Sequence, residues 1–470
     1  MELQNKATAL WSNFFNVRMV QIRTFHMTWF AFFSCFFAWF GIAPLMSVVR
    51  DELQLTPDQI GWAIIGSVSM TIFARLFIGW LCDRIGPRKS YTWLLLIGAL
   101  PVMGIGLAQD FESFLLFRVL IGGIGAAFVI TQYHTSVMFA PNVVGQANAT
   151  SAGWGNLGGG VTQFVMPLVF SVFVVGFGFS EAIGWRLSMV VVGGVIFITG
   201  IAYYFLTQDA PDGNFDDLRA QGKMGAKKAV TKDYWFAMRD PRVWVLFVIY
   251  GACFGIELTV NNVAALYFMD YFDLTLVTAG LVAASFGLMN IFARTLGGIF
   301  GDNFGSLWGL RGRAFWLFIC IFCEGLALML FSQMSVLFLA LPALLVFSLF
   351  TQMAEGATYS VVPFINKKAL GAVAGVVGAG GNAGAVLAGF LFKNVIDWSE
   401  AFFILGIVVT LASFMAFFVR FSTRQEDEER ANFAAANIDT LKRKAERANA
   451  ELEEGLDAIA SRDAKAAPAE

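Results

Sequence analysis

Long apolar stretches, separated by charged or Pro/Gly-rich segments, dominate the chain. Each stretch has about 20 residues or more, which is enough for an α-helix to cross a hydrocarbon layer about 30 Å thick. A transmembrane β-barrel would show alternation with a period of two, and that pattern is absent. The pattern therefore predicts an all-α membrane protein with twelve transmembrane helices, near residues 26–49, 60–82, 90–108, 112–139, 146–175, 185–206, 242–269, 276–301, 314–333, 336–361, 370–393 and 400–420.

The loops between these helices alternate in charge. One set is basic, and the other is acidic or nearly uncharged. By the positive-inside rule, the basic loops are cytoplasmic, and an even number of helices places both termini on that side. We therefore expect a multi-pass protein of the cytoplasmic (inner) membrane. The basic positions are Arg84, Arg88, Lys89, Arg219, Lys223, Lys227, Lys228, Lys232, Arg239, Arg311, Arg313, Lys367 and Lys368.

The longest internal polar segment divides the chain into two related halves. "IFARLFIGWLCDRIG" at 72–86 aligns with "IFARTLGGIFGDNFG" at 291–305, and "VVGQANATSAGWGNLGG" at 143–159 aligns with "ALGAVAGVVGAGGNAGA" at 369–385. Parallel repeats of six helices are typical of two-bundle alternating-access transporters. The predicted organisation is a cytoplasmic amphipathic lead-in (1–25), an N-terminal six-helix bundle (26–206), a cytoplasmic loop (207–241), a C-terminal six-helix bundle (242–421) and a charged cytoplasmic tail (422–470).

Composition narrows the class of protein further. The 470 residues are 57% hydrophobic and 14% charged, which is outside the range of ordinary soluble domains. The net charge of −2 gives no reason to expect nucleic-acid binding. The five cysteines lie in or beside apolar runs, where packed thiols are favoured over metal or redox chemistry. With no metal-ligand cluster, phosphate loop or nucleophile constellation in the sequence, we expect no enzyme activity, cofactor or metal.

Two arginines fall inside predicted helices at equivalent positions of the repeat. Arg75 and Arg294 each lie eight residues before an aspartate that marks the cytoplasmic helix end. That spacing is about 12 Å of depth, near the middle of the membrane, where a permanent charge must face the bundle interior. Each arginine could form a structural ion bridge to a buried glutamate. The favoured interpretation is that the two arginines together form an anion-binding site. Paired guanidinium forks suit a flat trigonal oxyanion best. The candidate glutamates are Glu257, Glu324 and Glu355.

The glycine-rich stretch "SAGWGNLGGGVTQFVMP" at 151–167 carries a polar residue in an apolar setting. Close helix packing explains most of its glycines. Asn156 needs a partner, however, and Gln163 falls on the same helix face. Asn382 repeats the feature in the second half. We therefore expect Asn156, Asn382 and Gln163 near the anion.

"GWLCDRIGPRKS" at 79–90 predicts a gate between the bundles. Its glycines allow a tight turn, and its aspartate can accept hydrogen bonds from a helix N-terminus or an arginine across the bundle interface. A degenerate copy, "GGIFGDNFG" at 297–305, lies at the equivalent loop. The gate residues are Gly79, Asp83, Arg84, Gly86, Arg88 and Asp302.

These motifs resemble a known family over about residues 24–421. "GWLCDRIGPRKS" resembles the signature between helices 2 and 3 of the major facilitator superfamily. "AGWGNLGGGVTQ" and "GAGGNAGAV" look like the paired signatures of its nitrate/nitrite porter branch. The resemblance implies that Arg75 and Arg294 hold nitrate, that Asn156 and Asn382 are the signature asparagines, and that helix 7 covers the anion with aromatics. These correspond to Tyr250 and Phe254.

The resemblance implies secondary active transport of nitrate, with nitrite as a further substrate, by alternating access. "IELTVNN" at 256–262 is similar to the proton-coupled members, which favours symport, with Glu257 and Glu355 as proton-coupling candidates. A fixed salt bridge is an equally weighted role for each glutamate. The alternatives are a nitrate/nitrite antiporter, an anion-binding membrane sensor without transport, and a transporter of organic anions.

Overall fold

The computed structural model describes residues 5–223, 235, 238–274, 276–393 and 397–466. These residues are almost entirely helical and contain no β-strand beyond two isolated bridges. Long runs of apolar side chains explain why, because a helix satisfies its backbone polar groups internally. The helices are α1 (Val20–Trp39), α2 (Met46–Leu53), α3 (Pro57–Ile85), α4 (Pro87–Gly104), α5 (Phe111–Gly122), α6 (Ala127–Met138), α7 (Val144–Ser171), α8 (Glu181–Leu206), α9 (Phe215–Ala220), α10 (Pro241–Phe272), α11 (Leu276–Leu288), α12 (Ala293–Trp308), α13 (Leu310–Ser332), α14 (Leu337–Val361), α15 (Leu370–Lys393), α16 (Trp398–Ser413) and α17 (Thr423–Ala466).

The described residues contain eleven helical segments that are long and apolar enough to span a membrane. The number rises to twelve when 144–162 and 165–176, which meet at a 43° bend, count as one span. Pro167 lies beside this bend, and a proline inside a helix removes one backbone hydrogen bond and favours a kink. The predicted all-α membrane architecture is confirmed.

Two of the predicted spans are found as single segments, Phe111–Met138 and Leu281–Trp308, but each contains a short 3₁₀ turn. The span predicted at 112–139 is divided into α5 and α6 by a 3₁₀ turn at Gly123–Ala126, and the one predicted at 276–301 is divided by Met289–Ile291. At the first break Gly122 packs so closely on α3 that a Cβ atom there would lie 2.1 Å from the Ser67 carbonyl oxygen. Each break frees backbone carbonyl groups for side chains of neighbouring helices.

The two halves of the chain meet through a pair of equivalent contacts. A Cβ atom on Gly79 of α3 would lie 2.2 Å from the Gly371 oxygen of α15, and one on Gly298 of α12 would lie 2.4 Å from the Gly145 oxygen of α7. Gly79 and Gly298 are equivalent in the repeat, as are Gly145 and Gly371. The interface is therefore built twice, with the halves exchanged.

These contacts lie on the side of the molecule that carries the termini. The opposite side contains a cavity of about 270 Å³ between the bundles, to which α1, α7, α10 and α11 contribute. The bundles are thus in contact near the termini and separated beyond the middle.

Helix α17 follows the last span and contacts the terminus-bearing side of both halves. Its Glu426 forms an ion pair with Arg311 at 2.9 Å, and Glu429 forms one with Lys367. Asn142 of the first half donates a hydrogen bond to the Asn437 side chain at 3.4 Å. The first turns of the tail therefore pack on the protein instead of being solvated on all sides.

Candidate functional site

The two arginines lie in the interior, between the bundles. Helix α3 carries Arg75 and α12 carries Arg294, and both side chains are completely buried. Each lies four residues, about one helical turn, before the glycine contact at the bundle interface, because the repeat preserves the spacing. The equal spacing therefore gives the two arginines equivalent positions relative to the interface contacts.

Arg75 interacts with backbone carbonyl groups. Its Nε donates to the Gly125 oxygen at 3.3 Å, and its Nη1 donates to the Gly378 oxygen. The first acceptor is exposed by the break between α5 and α6. Within the described part of the chain, Nη2 has no hydrogen-bond partner and no carboxylate forms an ion pair with Arg75. Its hydrogen-bond acceptors among the described residues are thus backbone carbonyl groups, which carry only partial negative charge.

Arg294 has a different environment from its repeat equivalent. Its Nη1 forms a fully buried ion pair with Glu355 of α14, and its Nη2 donates to the Tyr250 hydroxyl at 2.8 Å. Its Nε has no partner among the described residues. The structural ion bridge considered from the sequence is therefore present at Arg294 and absent at Arg75. Glu355 forms this ion pair, and neither Glu257 nor Glu324 does.

An aromatic cluster lies between the guanidinium groups. The Phe128 ring centre is 5.1 Å from the Arg75 guanidinium carbon and 5.5 Å from that of Arg294. Tyr250 and Phe254, the predicted aromatics, stack on Phe128 at centroid distances of 5.7 and 6.1 Å. Both cations are thus held by cation–π attraction around one ring.

Sequence reasoning missed Phe128. It is one of 50 phenylalanines, and nothing in its spacing distinguishes it from those that face lipid. The neighbouring glycines of "GGIGAAF" were the available signal, because they form the break that brings this segment to Arg75.

Asn156 contacts a carboxylate and not an arginine. Its Nδ2 lies 3.4 Å from Glu257 Oε2, and Asn290 Nδ2 donates to Glu257 Oε1 at 2.7 Å. These three residues line the cavity together with Phe254. Asn156 thus contacts Glu257 at the wall of the cavity, which Phe254 of the aromatic cluster also lines. Neither amide contact of Glu257 is made by one of the two arginines.

Of the other two predicted amide side chains, those of Asn382 and Gln163, the structure describes only the first. Asn382 is fully buried, and neither atom of its amide has a hydrogen-bond partner among the described residues. The Gln163 side chain lies outside the described part of the structure. Most glycines of the motif are packing positions, since a Cβ on Gly158 would lie 2.1 Å from the Phe33 oxygen.

The gate aspartates bind helix N-termini across the interface. Asp83 accepts from the Gly371 and Ala372 amides at 3.2 and 3.0 Å, at the start of α15. Asp302 accepts from the amides of residues 145 and 146 at 3.1 and 2.8 Å, at the start of α7. Each carboxylate therefore caps the first turn of a helix in the opposite half, where the helix dipole favours a negative charge.

Three further gate residues, Arg84, Gly86 and Arg88, act within their own half. Arg84 lies over the Trp80 ring, and Arg88 lies over the Tyr204 ring at 4.1 Å. Gly86 has a φ of +90°, which favours glycine at the turn between α3 and α4. Asp209 accepts from the Arg88 amide at 2.9 Å, outside the membrane-spanning helices, and burial raises the pKa of its carboxyl group.

Arg313 belongs to the gate but was not singled out from the sequence. Its Nη1 forms a buried ion pair with Asp302 at 2.7 Å, and its Nη2 donates to the Pro141 oxygen of the first half at 2.9 Å. Its position in a basic loop was read only as a topology signal.

The fold and the buried site together define a membrane transporter of two six-helix bundles. A family model described as Major Facilitator Superfamily matches residues 28–365 and 262–458. A solved proton:xylose symporter shares the fold, with a TM-score of 0.67 at 13% identity, over 88% of this chain and 99% of that one. The chain belongs to the major facilitator superfamily and, within it, to the nitrate/nitrite porter family.

Relatives of known name span most of the chain. It is 41% identical to high affinity nitrate transporter 2.5 of Arabidopsis thaliana, over 83% of this chain and 77% of the relative. It is 36% identical to nitrate transporter 2.1 of Chlamydomonas reinhardtii, over 84% and 74%. Identity to the nitrate/nitrite transporter NrtP of Nostoc punctiforme is 30%, over 88% and 94%.

Proposed function

We propose that this protein transports nitrate, and nitrite as a second substrate, between its two bundles. The observation that carries the proposal is Arg75, a fully buried guanidinium without a carboxylate partner among the described residues, opposite a second arginine. A buried cation in this state attracts an anion. The names of the relatives supply the substrate class.

The shape of the site supports a small planar anion. Two planar cations lie within 6 Å of the Phe128 ring centre, and Arg75 also lies 5.2 Å from the Phe254 ring centre. A flat trigonal oxyanion can accept paired N–H bonds from a guanidinium and stack on an aromatic face. An organic acid would need additional room beside these rings.

Coupling to protons follows from charge balance. Nitrate uptake against a membrane potential costs about 2.3 kcal/mol per 100 mV. Glu355 and Glu257 interact with each other and with Arg294. With Glu257 and Glu355 both ionised, the charges of the two arginines would be balanced, and one arriving nitrate would require one proton to restore neutrality. These contacts support symport over exchange of nitrate for nitrite.

Alternating access is supported by the contacts on the two sides of the site. The bundles meet through the aspartate caps on one side, and a cavity opens between them on the other. If the terminus-bearing side is cytoplasmic, as the basic loops suggest, this arrangement faces outward. Rocking of the bundles would break the aspartate caps and close the cavity.

The proposal is tested with the full chain in proteoliposomes. Labelled nitrate uptake is measured under an imposed pH gradient, with nitrite present or absent inside. We expect accumulation that follows the pH gradient without internal nitrite. Uptake that requires internal nitrite and does not depend on the gradient would establish antiport. Absence of labelled-nitrate counterflow would refute nitrate transport and leave a sensor or a transporter of organic anions.

A paired variant separates transport from folding. Arg75→Gln removes the unpaired cation, so we expect nitrate binding to be lost while the protein remains stable. Arg84→Gln is the control: it removes a cation that lies over the Trp80 ring of its own helix, and this variant should bind nitrate normally.

A further inference from the structure

One buried carboxyl group has no part in the site described so far. Glu324 lies near the middle of α13 and is completely buried. Neither of its oxygens has a hydrogen-bond partner in the described part of the chain. Other buried acids in this half differ, because Glu355 is paired with Arg294 and Glu257 accepts from Asn290.

The helices packed around Glu324 supply no positive charge to it. From α10 and α14 it interacts electrostatically with Glu257 and Glu355, and with the thiols of Cys253 and Cys320. The arginine of α12, Arg294, is paired with Glu355. The two acids, Glu257 and Glu355, disfavour a negative charge on this carboxyl, and neither thiol carries a positive charge that would offset them.

The hydroxyl groups near Glu324 donate hydrogen bonds to backbone carbonyl oxygens. The Thr351 side chain interacts with the Glu324 carboxyl, but its Oγ1 donates to the Phe347 oxygen at 3.0 Å. On α16, which packs against Gly325, the Thr410 hydroxyl donates to the Gly406 oxygen at 2.7 Å. Each of these hydroxyl groups therefore has a backbone acceptor on its own helix, which competes with Glu324 for its hydrogen.

A buried carboxylate without donors or a cation is strongly unfavourable, whereas the neutral acid is tolerated. Glu355 and Glu257 are stabilised as anions by Arg294 and by amide donors. Of the three acids, Glu324 has the weakest support for its negative form. The geometry therefore favours the neutral acid at Glu324.

We propose that Glu324 is a proton-binding site of the transport cycle, located behind the anion site in the C-terminal bundle. This inference rests on the proposed proton-coupled function and adds a residue to it. Binding forms an O–H bond on the carboxylate from a proton of the outer solution. Release breaks that bond, returns the carboxylate and delivers the proton to the inner solution after the bundles rock.

The test compares Glu324→Gln with the wild type in proteoliposomes. Glutamine has the shape of the protonated acid and cannot release a proton. We expect labelled-nitrate counterflow within about twofold of wild type, and nitrate accumulation driven by a pH gradient lower by about tenfold or more. Ser332→Ala, at another fully buried polar position of α13, is the matched control and should retain both activities.

The outcomes separate this inference from the proposed function. If wild-type uptake ignores the pH gradient, proton symport itself is wrong. If wild type is proton-driven and Glu324→Gln keeps the same accumulation and pH profile, only the role of Glu324 is overturned, and the residue is a permanently neutral structural acid.

A spectroscopic measurement covers the case in which the glutamine variant does not fold. Infrared difference spectra of the wild type, with and without nitrate, report the C=O stretch of protonated carboxylic acids. We expect such a band to respond to nitrate and to shift in Glu324→Asp. A band that ignores nitrate, or is unchanged in Glu324→Asp, would refute the proposal.

Discussion

The glycine contact between α3 and α15 allows a quantitative test of the gate. In Gly79→Ala the new Cβ would lie 2.2 Å from the Gly371 carbonyl oxygen, whereas ordinary contact begins at 3.4 Å. Because the obstructing atom belongs to a helix backbone, no side chain can move away. The two helices must separate by about 1 Å.

The strain from Gly79→Ala destabilises only the conformation in which α3 touches α15. Overpacking of this kind typically costs about 1–3 kcal/mol. The strain exists where α3 touches α15 and vanishes when the bundles part there, so the equilibrium should shift by about 5- to 150-fold toward the state that is open on the terminus-bearing side. The cavity on the opposite side should close correspondingly.

Labelling of the cavity measures this shift. Ala284 lines the cavity, so an Ala284→Cys reporter should react with an impermeant maleimide added from that side. We expect Gly79→Ala to slow this reaction by about fivefold or more. Gly194→Ala is the matched control, because a Cβ there meets no atom within 4 Å. Equal reactivity in the two variants would refute the reasoning.

Three further predictions concern the site and the gate. Arg75→Lys keeps the charge but loses the planar fork, so nitrate affinity measured by titration should fall about tenfold or more; wild-type affinity would point to a different anion. Asp302→Asn leaves buried Arg313 unpaired, at about 3–5 kcal/mol, and should lower the melting temperature more than Asp83→Asn; equal melting temperatures would contradict this. Asn156→Ala removes a donor to Glu257, so the pH dependence of uptake should change more than nitrate affinity. Unchanged transport would show that the glycine-rich motif serves helix packing alone.

The arginine pair and the gate were accessible from the sequence because they depend on regular helix geometry and on the repeat. A constant rise per residue fixes the depth of Arg75 and Arg294, and the aligned aspartates identify Asp83 and Asp302 as equivalent. The predicted acceptance by Asp83 from a helix N-terminus agrees with its bonds to the first turn of α15.

The partners of the buried charges were not accessible in this way. Glu257, Glu324 and Glu355 are all single acids in apolar helices, and helix periodicity does not determine which of them meets Arg294. That choice depends on side-chain packing across three helices. The 3₁₀ turns at Gly123–Ala126 and Met289–Ile291 were not predicted, because a pattern of apolar residues indicates a span and not a local change in its hydrogen bonding.

The doubled contact of the gate has the geometry of an isologous homodimer interface contained in one polypeptide. Gly79 meets Gly371 as Gly298 meets Gly145, and the two aspartate caps are exchanged in the same way. In a true homodimer every substitution is made twice. In this single chain one of the two equivalent contacts can be altered alone. The stability of the closed gate can therefore be changed by the contribution of one contact, which is impossible in a symmetric dimer.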